Sequence, residues 1–154
     1  MKKQGIQKAQ IPNPALKGLE KLIGEWKTAS THPAIPNKLL PGISTFEWIE
    51  GGAFLKYHLE VDEKGFPVGI GIFGSDDATG EIFMLFFDER KISRKCEVSV
   101  EDNVVKWWRN VPGFSQQYSW TITDNGNTII GNGELCEDGK TWKKDLDQVF
   151  TRVK

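Results

Sequence analysis

The sequence predicts an all-β fold, a ten-stranded antiparallel up-and-down barrel with a short N-terminal helix, on three observations. From residue 24 onward apolar residues alternate with polar ones, the period of a half-buried strand. Turn residues interrupt that alternation about every ten residues. No helical segment separates the strands to cover an open sheet, so closing the sheet on itself is the simplest way to remove its edges.

The elements follow in order. Asn13-Pro14 starts a helix, with proline in the first turn, and Leu16, Leu19, Leu22 and Ile23 recur at helical spacing until Gly24 ends it. Strands are expected over 24–32, 42–50, 53–62, 67–75, 80–88, 92–101, 103–110, 114–123, 127–137 and 141–152. Glu50-Gly51-Gly52, Asp62-Glu63-Lys64-Gly65, Glu101-Asp102-Asn103, Asp124-Asn125-Gly126 and Glu137-Asp138-Gly139-Lys140 supply turns whose residues tolerate positive φ or bond their own backbone. Short links make sequence neighbours pair as hairpins. One link differs: HPAIPNKLLPG is too long for a hairpin turn and too rich in proline for a strand. It reads as a flap over one barrel mouth, with Leu39 and Leu40 seeking a surface to cover.

Length and charge bound the function. The chain of 154 residues suits a single domain over 1–154, with 1–12 as a flexible arm. Twenty Lys and Arg against twenty-one Asp and Glu lack the basic excess that holds a phosphate backbone, so no nucleic-acid partner is expected. MKKQGIQKAQ has no apolar stretch after its positive start, and no apolar run reaches about 18 residues. No membrane partner and a cytoplasmic location are therefore expected. Cys96 and Cys136 have no CxxC spacing or nearby histidines, so they read as reduced structural thiols with no metal.

Strand parity then locates a candidate site in and around KWWRNVPGFSQQYSW, residues 106–120. In the seventh strand Val105, Trp107 and Arg109 share a face; in the eighth, Phe114, Gln116, Tyr118, Trp120 and Ile122 do. The sixth places Arg94 with Ile92, Cys96, Val98 and Val100, and the first places His32 and Ser30 with Trp26. The expected ligand-binding set is thus His32, Arg94, Trp107, Arg109, Gln116 and Tyr118. An interior guanidinium needs a carboxylate, carbonyls, water or an anionic ligand, and aromatic neighbours supply the apolar remainder of a ligand site.

Several letter patterns are set aside. GIGIFG fits GxGxxG but lies inside a strand with a turn after it, where glycines make room for packing. Asp76 and Asp77 lack the remaining ligands of a calcium loop. Asp145 and Asp147 read as strand-mates on one hydrated face, and His58 alternates outward from Leu55, Tyr57, Leu59 and Val61.

Gly24-Glu25-Trp26, directly after the short helix, resembles the GxW signature of the lipocalin-like (calycin) superfamily, and Arg152 stands in the last strand where those proteins carry a basic partner. The resemblance implies that Arg152 closes over Trp26 at the closed end of the barrel. THPAIP, FEWIEGGAFL, Asp88-x-Arg90-x-x-x-Arg94, GFSQQ and DGKTWKKDLDQVFTR are similar to a family of small uncharacterised bacterial lipocalin-like proteins over nearly the full length. The chain departs from that pattern at Lys91, where a glycine is expected, and at Gln117, where an arginine is frequent. The resemblance implies a barrel with a cavity and names no substrate.

The expected function is binding of a small, mainly apolar or amphipathic molecule, with Arg94 or Arg109 available to an anionic group. No cofactor is expected. The alternatives are an enzyme using the same cavity with His32 as acid or base, haem binding through His32, and an interaction domain with a filled interior. GEWKTAST lacks the glycine-rich continuation that follows GxW in the related haem-binding barrels.

Overall fold

The computed structural model describes residues 10–154. The first nine residues of the expected N-terminal arm lie outside the described residues. Ten strands, β1 (Gly24–His32), β2 (Ile35–Ile49), β3 (Phe54–Val61), β4 (Gly69–Ser75), β5 (Ile82–Asp88), β6 (Ile92–Glu101), β7 (Val104–Arg109), β8 (Ser115–Thr123), β9 (Thr128–Cys136) and β10 (Trp142–Arg152), close into one barrel. Each strand pairs antiparallel with its sequence neighbour, and β1 pairs β10 to shut the ring. Among the described residues no helix is long and apolar enough to cross a membrane.

The helix forms over Pro14–Leu22 as a 3-10 helix, with the Asn13 side chain accepting from the Ala15 N–H at 3.0 Å. Leucines at 16, 19 and 22 are spaced by three, which suits three residues per turn, and all three are fully buried. The helix closes one end of the barrel. There Trp26 donates its indole N–H to the Leu22 carbonyl at 2.8 Å, and the Arg152 guanidinium lies 4.2 Å from the Trp26 ring centroid. Arg152 also bonds the carbonyls of Ile23, Lys21 and Gly126, satisfying backbone groups at the end of the helix. Gly24 is required beside it: its φ is +141°, and a Cβ there would run into the Arg152 guanidinium and the Lys154 carbonyl.

The expected flap is not a separate element. HPAIPNKLLPG is instead the turn and first part of β2, paired with β1 from His32↔Ile35 to Ser30↔Leu40 and Ala29↔Pro41 across a register shift. The shift holds the extra residues as a bulge, with Asn37 at φ 61°, and Pro33 and Pro36 fall in the turn and the bulge, where no ladder N–H is needed. Leu40 turns into the core while Leu39 stays 65% exposed, so the two leucines separate by strand parity.

Inside the barrel the closed half is packed with aromatic rings. Trp120 meets Phe46, Tyr57, Phe73, Trp107 and Phe150 at centroid distances of 5.1 to 6.4 Å, mostly edge to face. The β4 glycines do make room: a Cβ on Gly69 or Gly71 would strike Phe86 or Met84 from β5. The other half, at the His32 end of β1, remains open.

Candidate functional site

Alternation works as expected on the four strands that supply the wall. Burial follows Trp26, Thr28 and Ser30 in β1, Cys96 in β6, Val105 and Trp107 in β7, and Trp120 and Ile122 in β8, while their neighbours face out. The open half is a cavity of about 430 Å³ whose lining includes His32, Arg94, Trp107, Gln116 and Tyr118. Arg109 is not part of that lining. It stands near Arg94 and Cys96, where its charge acts on both groups.

The residue that joins the polar set is Asp145, which parity places outside. β10 carries a register shift between Lys144 and Asp147, so that Asp145 and Leu146 together oppose Gly133 of β9. This β-bulge turns two consecutive side chains inward: Asp145 and Leu146 are both buried, and Asp147 faces out to Lys144 and the Gly133 N–H. The two aspartates are therefore not on one face, contrary to the sequence reading. Gly133 is needed opposite the bulge, because a Cβ there would overlap the Tyr118 ring and meet the Leu146 carbonyl. A glycine inside a strand is the sequence signal that could have flagged the bulge.

Asp145 accepts three hydrogen bonds. Tyr118 donates its hydroxyl to Oδ2 at 2.6 Å, Gln116 donates Nε2 to the same oxygen at 3.1 Å, and His32 Nε2 lies 3.2 Å from Oδ1. The Ala34 backbone N–H donates to His32 Nδ1 at 3.1 Å, so the neutral ring carries its proton on Nε2, toward Asp145. Both ring nitrogens are thereby committed. His32 in this geometry has no nitrogen free to take a substrate proton or to ligate an iron. Burial first, and then the charge and hydrogen bond of Asp145, hold the Tyr118 phenol well above its ordinary range, so it remains a donor.

Arg94 differs from its neighbour Arg90. Arg90 is held by Asp88, with Nη2 donating at 2.7 Å and Nε at 3.2 Å. Burial favours the neutral acid of Asp88, but the Arg90 hydrogen bonds and charge outweigh it and keep that carboxyl below its ordinary range. Arg94 has no carboxylate partner among the described residues; its one side-chain bond is Nη1 donating to Gln116 Oε1 at 2.6 Å. Burial, then the like charges of Arg109 and Arg90, push its guanidinium below the ordinary arginine range. Phe114 supports the guanidinium, 5.1 Å from its ring centroid. Beside it Trp107 and Tyr118 stack at 4.2 Å and 13°, with Phe86 parallel to Trp107 beyond.

The arrangement is an open-mouthed cavity, aromatic on one side, with one half-buried cation whose remaining N–H donors have no protein acceptor among the described residues. Chemically it can hold an acceptor-bearing group against an apolar body. No protein-family model matches the chain, and no curated protein matches it. Among solved structures, the chain is similar to the crystal structure of Rv2717c from M. tuberculosis, with a TM-score of 0.65 and 17% identity over 92% of this chain and 98% of that one. That likeness is one of fold.

Proposed function

We propose that the protein binds a small amphipathic molecule in its barrel cavity, the apolar body lying along Phe86, Trp107 and Tyr118 and an anionic group taken by Arg94. The observation that carries this reading is Arg94: a guanidinium lining the barrel cavity, held by a single amide and, among the described residues, by no carboxylate. At about 30 Å³ per water, the chamber corresponds to about fourteen waters, which suits a compact ligand rather than a long chain. The commitment of both His32 nitrogens favours binding over acid–base catalysis and over haem ligation through that residue. The Trp26–Arg152 closure supports a lipocalin-like reading of the barrel, and two buried free thiols suit the reducing cytoplasm.

The test is a fluorescence titration with anilinonaphthalene sulfonate, an anion with a compact aromatic body. Saturable binding is expected, weakened about tenfold or more in Arg94→Met through loss of a charge-assisted hydrogen bond. Equal binding by both proteins would overturn the role of Arg94, and no binding by the native protein would overturn the site.

A further inference from the structure

Gln116 stands between two opposite charges. Its Oε1 accepts from Arg94 Nη1 and its Nε2 donates to Asp145 Oδ2, at 2.6 and 3.1 Å. Arg94 and Asp145 both line the cavity, yet no ion pair joins them among the described residues. A primary amide suits this position because it offers an acceptor at one end and donors at the other, and it neutralises neither neighbour.

We propose that Gln116 sets the cavity's preference for anionic ligands by holding Arg94 apart from Asp145. The inference rests on the ligand site proposed above. Opposite charges a few ångströms apart in a partly buried cavity attract, so with the amide gone the guanidinium folds onto the carboxylate. Asp145 is the fixed partner of the two, anchored by Tyr118 and His32 and by its place in the β10 bulge. Arg94 is the partner free to swing once Gln116 is gone, a long side chain held by one hydrogen bond among the described residues and by the face of Phe114. The charge of the lining agrees: Lys64, Arg90 and Arg94 face Asp88 and Asp145, and Asp88 is already engaged by Arg90. One positive charge is in excess, which matches a ligand bearing a single negative group such as a carboxylate or sulfonate. Were Arg94 to fall onto Asp145, only Lys64 at the exposed rim would be left for it.

The experiment compares two probes of similar shape, anionic anilinonaphthalene sulfonate and uncharged N-phenylnaphthylamine, and reads the ratio of their affinities. Four proteins are needed: native, Gln116→Leu, Asp145→Asn and the double variant. The native protein is expected to favour the anion. Gln116→Leu should lose about tenfold or more of that preference through weaker anion binding alone. Asp145→Asn takes a negative charge out of the lining and should raise the preference somewhat by itself, and its gain should be clearly larger in the Gln116→Leu background, where it also frees the captured guanidinium. A spacer that mattered only for packing would not be rescued in this way. Gln116→Met, close in shape and lacking both hydrogen bonds, carries the same expectation should the leucine variant fail to fold. Retention of the preference in Gln116→Leu or Gln116→Met, or a double variant as poor as the single, would overturn the inference while leaving the site intact. Failure of the native protein to bind either probe would overturn the ligand site and this inference together.

Discussion

Cys96 shows how the interior treats a reactive group. It faces inward from β6, is 2% exposed, and its thiol is pushed by burial from its ordinary 9.0 to about 11, with Arg109 and Arg94 pulling weakly the other way. At pH 8 that leaves a thiolate fraction of about one in a thousand, so Cys96 is a packing group and not a nucleophile. Iodoacetamide at pH 8 is therefore expected to leave Cys96 unmodified in the native protein and to label it on denaturation, read by peptide mass mapping. Labelling of native Cys96 at the rate of a free thiol would contradict the burial described here. The same environment sets the chemistry of the other titratable residues. Tyr118 is kept a donor and Asp88 is kept a carboxylate, so the wall presents hydrogen bonds of fixed sense to whatever enters.

At the scale of the element, the residues legible in the sequence and those that were not are separated by one kind of feature. Alternation assigned Arg94, Trp107, Gln116 and Tyr118 correctly because β6, β7 and β8 pair without register shifts. It failed at Asp145 because that residue lies at a bulge, and an inserted residue reverses every face beyond it; HPAIPNKLLPG reads as a flap on its length and prolines, which a second register shift accommodates within β2. Asp145 then collects His32, Gln116 and Tyr118, three of the five cavity-lining residues that parity did find, so the sequence reading held these parts of the cavity without the carboxylate that joins them. The short helix forms where the sequence places it. Its leucines are the buried ones, and their spacing by three makes it a 3-10 helix. Gly133 makes the bulge testable. Gly133→Ala should force the Tyr118 ring and the Leu146 carbonyl apart, lowering stability by about 1–3 kcal/mol and weakening anilinonaphthalene sulfonate binding. Calorimetry and the same titration check both, and a variant indistinguishable from the native protein would deny that the bulge is held by the glycine.

On the whole molecule, the barrel divides into a filled half under the helix and an open half around Asp145, and this division predicts how stability depends on pH. Apart from Arg90, which its Asp88 hydrogen bond raises, the groups pushed above their ordinary values are Tyr57, Tyr118 and Cys96, each chiefly through burial. Because the folded protein keeps these protons longer than the unfolded chain does, their contribution is complete at neutral pH. It falls away once the unfolded chain begins to ionise, above about pH 9, and continues to fall as the folded values are approached. On the acid side Asp76, Asp88 and Asp138 are held low, Asp76 by the Thr79 and Ala78 N–H groups, Asp88 by Arg90 against the pull of burial, and Asp138 at about 2 by the Thr141 and Lys140 N–H groups. Their contribution is present above the ordinary carboxylate value and is lost as pH falls through it toward about 2. The melting temperature should therefore be flat from about pH 5 to pH 8.5 and decline on both sides. Tyr118→Phe should flatten the alkaline limb, since it removes one of the three groups that drive it, while lowering the neutral plateau by the lost bond to Asp145. Thermal melts followed by circular dichroism across that range decide the matter: a melting temperature that rises above pH 10, or an alkaline limb as steep in Tyr118→Phe as in the native protein, would mean that the buried hydroxyl is not among the groups whose protonation the fold protects.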